Sequence, residues 1–120
     1  MKRVLHLLNR FWHWTTLSVL LAITSLSLMP LPSLPDVPGS DKTHHLIAYA
    51  ALMLPAFFSN HKTKGVLMVL FALWSGVIEL VQPYVNRYGE WLDFGANTLG
   101  LIIGAILGVI LKKVYTDFLD

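Results

Sequence analysis

Residues 79–104, ELVQPYVNRYGEWLDFGANTLGLIIG, decide the fold because they join two apolar runs through one short polar segment. The first run covers residues 65–78 and the second covers residues 94–111. A transmembrane helix requires about 17–25 mostly apolar residues. The second run meets that length without a charge, and the first meets it when its polar end is included. Charged and amide side chains lie between them, namely Glu79, Gln82, Arg87, Glu90, Asp93 and Asn97.

The remaining chain has the same character. Of 120 residues, 55% are apolar and only 13% are charged, which is too apolar for a soluble domain of this size. Two further apolar blocks cover residues 11–37 and 46–60, and prolines at 30, 32 and 35 end the first helix. The sequence therefore predicts one all-α membrane domain over residues 1–120, with four transmembrane helices at about 11–29, 42–59, 65–83 and 93–111.

The basic residues divide unequally between the two sides of this bundle. Seven fall on one side, whereas only Lys42 and Arg87 fall on the other; the seven are Lys2, Arg3, Arg10, Lys62, Lys64, Lys112 and Lys113. The positive-inside rule then places both termini in the cytoplasm. A pI of about 9.1 would suggest nucleic-acid binding in a soluble protein, but here the basic residues sort by membrane side, so we expect no nucleic-acid partner. The absence of cysteine excludes disulfides and thiolate metal sites.

Polar residues distant in sequence are expected to meet at the outward side. Helical spacing aligns Asp41, His45 and Tyr49 on one helix face, and the topology brings the two later helix ends to the same depth. Charged residues at this depth are costly unless they face protein or water. The residues expected to line this pocket are Asp41, Lys42, His45, Glu79, Gln82, Arg87, Asp93 and Asn97.

Several chemistries fit this inventory. The candidate catalytic residues are His45 with Glu79 or Asp93 as general base and acid, while Lys42 and Arg87 are suited to bind a phosphate or carboxylate. A histidine with two acids also suits a divalent metal, but no HExxH or similar compact motif is present. We therefore predict neither a metal nor a cofactor. The structural alternative is an ion-pair network that fixes the helix register.

A stripe of small residues follows on the last helix, at Ala96, Gly100, Gly104 and Gly108. Small residues at every fourth position allow two transmembrane helices to approach closely. The stripe predicts helix packing, either inside the monomer, which we favour, or between the subunits of a homo-oligomer.

These motifs resemble the VanZ-like family of small bacterial integral membrane proteins. The resemblance covers residues 41–108 and rests on Asp41-Lys42-x-x-His45, Glu79-x-x-Gln82, Arg87 followed by Asp93, and Asn97-Thr-Leu-Gly100-x-x-x-Gly104. It implies a multi-pass protein of the bacterial inner membrane whose site residues are the eight polar positions named above. The founding member of the family is associated with resistance to the glycopeptide antibiotic teicoplanin.

Together, these observations predict a membrane protein that binds or acts on an anionic lipid or cell-envelope precursor through an outward-facing polar pocket. Lys42 and Arg87 at headgroup depth motivate the anionic ligand. The alternative is a structural or partner-binding membrane protein without catalytic activity, in which the polar cluster only locks the helices together. The sequence alone leaves open whether the protein is an enzyme.

Overall fold

The computed structural model describes residues 2–30, 40–59, 62–85 and 89–119. Its helices are α1 (Lys2–Arg10), α2 (Trp12–Ser27), α3 (Asp41–Phe58), α4 (Lys64–Val81) and α5 (Trp91–Leu119), and a short 3-10 helix, Gln82–Val85, extends α4. These described ranges contain helices and no strands, which confirms the all-α prediction. The last helix continues well past the predicted end at residue 111.

The first helix, α1, was not predicted. Phe11 separates it from α2, because its backbone angles of φ −113° and ψ 24° are not helical. The sequence interpretation treated Lys2, Arg3 and Arg10 only as charges flanking a span. Lys, Arg and Leu are nevertheless good helix formers, and the apolar residues between these charges give α1 an amphipathic pattern. The chain therefore has five α-helices in its described part rather than four.

Contacts at both ends show that α2, α3, α4 and α5 alternate in direction. At one end, which we call the polar end, Gln82 Nε2 donates to Ser27 O at 3.1 Å, and Lys42 Nζ lies 3.0 Å from Glu90 Oε2. At the opposite, basic end, the rings of Phe58 and Tyr115 pack with their centroids 5.6 Å apart. The ends of α2 and α4 and the starts of α3 and α5 thus form the polar end.

Helix α3 lies at the centre of the bundle, where it packs against α2 and, most extensively, against α5. It contributes half of the main buried cluster through Tyr49, Leu52, Met53 and Ala56. The remaining members come from the three surrounding helices and are Ile23, Phe71, Leu101 and Ala105. The helix that begins with the polar motif is therefore the one that is most enclosed by protein.

The close contact between α3 and α5 is a glycine seam, formed by Gly100, Gly104 and Gly108. A Cβ atom added at Gly100 would lie 2.5 Å from Leu46 O, and one at Gly108 would lie 2.6 Å from Leu54 O. At Gly104 the added atom would collide with the backbone of Ala50. The seam residues are thus covered by α3 of the same chain. Ala96, which begins the stripe, is half-buried.

The outer surface of the bundle is apolar. Within the described residues, two segments are long and apolar enough to cross a bilayer, Lys64–Val85 and Trp91–Asp117, with mean hydropathies of 1.9 and 2.1. Only 28% and 33% of their most apolar windows are buried, and Leu73 and Ile106 are 63% and 54% exposed. Large exposed apolar surfaces are rare on soluble monomers. These two helices therefore fit a membrane protein.

Candidate functional site

The polar end is built on the first turn of α3. Ser40 caps the helix, because its Oγ accepts a hydrogen bond from the Thr43 backbone N–H at 3.1 Å. The Thr43 hydroxyl lies 2.6 Å from the same Oγ atom. Ser40 thus accepts a hydrogen bond from one of the backbone N–H groups that have no partner within the helix at its start. The cap fixes the position from which Asp41, Lys42 and His45 project.

Lys42 connects α3 to the start of α5. Its Nζ atom donates to Glu90 Oε2 at 3.0 Å and lies 3.5 Å from Asp93 Oδ1. The Lys42 and Glu90 side chains are about half exposed, whereas the Asp93 side chain is only 5% exposed. The ammonium group of Lys42 is therefore already engaged by two carboxylates.

His45 lies between the two helices with both ring nitrogens close to polar atoms. Its Nδ1 is 2.8 Å from Asn97 Oδ1, and because an amide oxygen only accepts, Nδ1 is the donor. Its Nε2 lies 3.6 Å from Asp41 Oδ2 and 3.9 Å from Asp93 Oδ2. Both distances are longer than a hydrogen bond of about 2.7–3.2 Å. The imidazole is thus oriented by Asn97 and presents Nε2 to two carboxylates.

Glu79 joins the site from the end of α4. Its Oε2 accepts from the Glu90 backbone N–H at 2.9 Å. This approach requires Gly89, where a Cβ atom would lie 2.5 Å from Glu79 O. The chain therefore returns from α4 to α5 directly against the Glu79 backbone.

A small pocket opens between these two helix ends. Its volume is about 190 Å³, and it is lined by Glu79, Leu80, Pro83, Gly89, Glu90 and Trp91. Glu79 Oε1 is buried and makes no hydrogen bond within the described part of the chain. Buried oxygens usually have a partner, so this one is available to a ligand that donates a hydrogen bond.

Gln82 has a different environment. Its Nε2 donates to Ser27 O, which ties α4 to the end of α2, while its buried Oε1 has no partner among the described residues. The Gln82 side chain thus connects α4 to α2, and its Oε1 is an acceptor without a partner in the described part of the chain. The predicted residue lies at the polar end, but its hydrogen bond is with α2 rather than with α3 or α5.

The structure therefore brings five of the eight predicted residues into direct contact, namely Asp41, Lys42, His45, Asp93 and Asn97. Glu79 approaches this group through Glu90, and Gln82 contacts α2. Arg87 lies outside the described residues. Glu90 was noted in the sequence but not predicted as a site residue. Its position three residues before Asp93, at a helix start, was the available signal.

One subset of the site has the composition of a metal-binding group. Asp41, His45 and Asp93 each offer one ligand atom, and these atoms all lie within 4.8 Å of one another. Two come from α3 and one from α5, so no compact sequence motif encodes the group.

Comparison with protein families gives one match. A family model described as VanZ/LLP1 matches residues 3–112, which is most of the chain and includes every residue of the polar site. Comparisons with curated proteins and with solved structures give no match.

Proposed function

Because the chain belongs to the VanZ/LLP1 family, we propose that it is a multi-pass bacterial inner-membrane protein that binds the headgroup of a lipid or cell-envelope precursor at its polar end. The observation that carries this proposal is Glu79, a residue that lines a pocket and whose buried Oε1 has no hydrogen-bond partner within the described residues. The pocket lies at one end of an apolar bundle, where a headgroup would be found.

The proposed topology has four spans, formed by α2, α3, α4 and α5. Exposed apolar side chains on α4 and α5 support contact with lipid. The basic end carries Lys2 and Arg3 beside Tyr115, which line one groove of about 400 Å³. The positive-inside rule assigns this end to the cytoplasm, and the polar end then faces outward. In this arrangement α1 lies along the cytoplasmic surface.

The free oxygen atom of Glu79 indicates the class of headgroup. A carboxylate oxygen is an acceptor only, so Glu79 favours a ligand that carries hydroxyl or ammonium donors, whereas Gln82 is not among the residues that line the pocket. Sugar and amine headgroups have such donors. Lys42, which the sequence assigned to an anionic group, is instead engaged by Glu90 and Asp93. Donor recognition by Glu79 is thus better supported than a clamp of two cations.

Catalysis and antibiotic resistance are further parts of this proposal. The candidate catalytic residues are His45, Glu79 and Asp93. An oriented imidazole beside the carboxylates of Asp41 and Asp93 suits proton transfer. Resistance to a glycopeptide such as teicoplanin would follow if the bound headgroup belongs to a cell-wall precursor. Both steps depend on ligand binding, which is therefore the property to test first.

The test is native mass spectrometry of the detergent-purified protein with its co-purified lipids. Glu79→Gln replaces a carboxylate by a side chain of the same shape, but turns one acceptor oxygen into a donating amide. We expect the wild type to retain a selective lipid and Glu79→Gln to lose it. Asp117→Asn, an exposed acid-to-amide change near the end of α5, is the matched control and should retain the lipid. Equal lipid retention by Glu79→Gln and the wild type contradicts the proposal.

A second candidate function is a structural lock between helices. Lys42 and His45 of α3 contact Asp93 at the start of α5, Glu90 just before it and Asn97 within it. A cluster of this kind can fix helix register without binding a ligand. In that case His45→Ala would lower the melting temperature, and the wild type would carry no selective lipid. The same preparation therefore separates the two functions.

A further inference from the structure

The surroundings of His45 Nε2 favour a positive charge. Because Nδ1 donates to Asn97, a neutral imidazole has its lone pair on Nε2, and that lone pair faces carboxylate oxygens of Asp41 and Asp93. A lone pair directed at two anions is electrostatically unfavourable. Either a proton on Nε2 or a cation between the three groups removes the repulsion.

The distances distinguish these two arrangements. A protonated Nε2 would form a charge-assisted hydrogen bond of about 2.7–2.9 Å. The nearest carboxylate oxygens lie instead at 3.6 Å and 3.9 Å. Metal–ligand bonds to nitrogen and oxygen are about 2.0–2.2 Å long, so two ligand atoms on one tetrahedral ion are about 3.4 Å apart. The observed separations are closer to this value than to a hydrogen bond.

The charge balance agrees with a divalent ion. Among the described residues around His45, the one ammonium group of Lys42 faces more than one carboxylate, so negative charge is in excess; the carboxylates are those of Asp41, Glu79, Glu90 and Asp93. Asp93 is the buried member of this group, with a side chain 5% exposed, and its Oδ1 has no hydrogen bond among the described residues. Lys42 Nζ lies 3.5 Å from this oxygen and also binds Glu90, so the buried carboxylate is only partly neutralised, which favours a further cation.

The neighbouring residues also suit a metal site. A histidine that binds a metal usually donates its other ring N–H to an oxygen, which fixes the ring and its tautomer, and Asn97 Oδ1 accepts that hydrogen bond here. Lys42 approaches Asp93 at Oδ1, so Oδ2 stays directed towards His45. The ligands thus converge on one point from α3 and α5.

We propose that Asp41, His45 and Asp93 bind one divalent transition-metal ion, such as Zn²⁺ or Mn²⁺, between α3 and α5. One nitrogen and two carboxylate oxygens favour these ions over Mg²⁺ or Ca²⁺, which prefer oxygen ligands only. Three protein ligands leave at least one coordination position open. An ion here would also provide the positive charge that a phosphate-bearing headgroup needs, and this last step rests on the proposed function.

The test uses the metal alone, without added lipid. The detergent-purified full chain is stripped with a chelator and titrated with Co²⁺, whose visible spectrum reports coordination, and then with Zn²⁺ by calorimetry. We expect one ion per chain in the wild type. The affinity should fall at least roughly tenfold in His45→Ala and in Asp41→Asn. Since the Asp41 side chain is 66% exposed, Asp41→Asn leaves the fold intact and keeps the test valid.

His13→Ala is the matched control, because His13 is an exposed histidine at the start of α2 and should have no effect. Two results would overturn the proposal. One is a wild type that binds no stoichiometric ion. The other is binding that persists in His45→Ala and Asp41→Asn but falls in His13→Ala, which would assign the ion to surface histidines. Failure in this lipid-free assay would leave the lipid-retention experiment unaffected.

Discussion

The interface between α3 and α5 has two regions with opposite construction. Along the glycine seam, Gly100, Gly104 and Gly108 have no side chains, and the two backbones touch. At the polar end of the same helices, His45 and Asp93 extend into the interface, where Nε2 and Oδ2 lie 3.9 Å apart. Packing in the glycine seam therefore depends on the absence of side chains, whereas the polar end depends on the positions of charged groups.

This difference separates stability from function along one pair of helices. Close backbone packing is the main source of helix association in a membrane, where apolar side chains gain little by leaving lipid. Buried charges, in contrast, contribute little net stability but are costly to leave unpaired. Substitutions in the seam should therefore destabilise the protein generally, and substitutions at the polar end should affect binding more than folding.

The largest effect is expected at the centre of the seam. Gly104→Ala places a methyl group against the backbone of Ala50, so α3 and α5 must separate. We expect a loss of about 3 kcal/mol in unfolding free energy, at the upper end for overpacking. Thermal melting of the protein in detergent measures this loss of stability. Gly95→Ala is the matched control on the same helix, because a Cβ atom there meets nothing within 4 Å. Equal melting of the two variants would show that the seam is not in close contact.

The seam also shows how far the sequence alone could predict the structure. Helical spacing identified the glycine stripe, and it brought Asp41 and His45 to the face that meets Asp93. Such spacing is local, so it holds whenever the segment is helical. The sequence likewise indicated all-α structure through long apolar runs.

Other features depend on contacts that no local pattern encodes. The hydrogen bond from the Glu90 amide to Glu79 exists because Gly89 lies directly against the Glu79 backbone, and helical spacing does not describe such an approach. Gln82 contacts Ser27 because α2 ends beside α4. Helix α1 was not predicted because Lys2, Arg3 and Arg10 were interpreted only as basic residues that set the topology under the positive-inside rule. A histidine with two acids was considered from the sequence as a metal site, but it was not predicted, because ligands from two helices form no compact motif.

A second variant tests the boundary between the two regions. Asn97 lies one turn before Gly100, is 1% exposed and accepts from His45 Nδ1. Asn97→Leu removes this acceptor and leaves the imidazole donor without a partner, so we expect a loss of about 2 kcal/mol in stability. Metal and lipid binding should fall as well, because His45 is no longer oriented. A variant as stable as wild type would mean that the His45–Asn97 contact does not hold the helices.

A third variant separates binding from folding at the polar end itself. His45→Ala removes the side chain that presents Nε2 to both carboxylates, and its 11% exposure allows water to reach the gap. We expect the unfolding free energy to fall by about 1 kcal/mol, with complete loss of the retained lipid or ion. Melting and native mass spectrometry on one preparation measure both. A large melting loss without any change in binding would favour the structural lock.

The smallest effect is expected at Lys42, where the polar end meets solvent. Its ion pair with Glu90 joins two side chains that are about half exposed, and such pairs contribute little to stability because water screens them and both side chains lose freedom. Lys42→Gln should therefore leave the melting temperature unchanged at low and at high salt. Metal affinity should rise, since the substitution removes a positive charge 3.5 Å from Asp93 Oδ1. Calorimetry with Zn²⁺ measures that rise, and weaker binding by Lys42→Gln would show that the ammonium group positions Asp93 rather than competing with the ion.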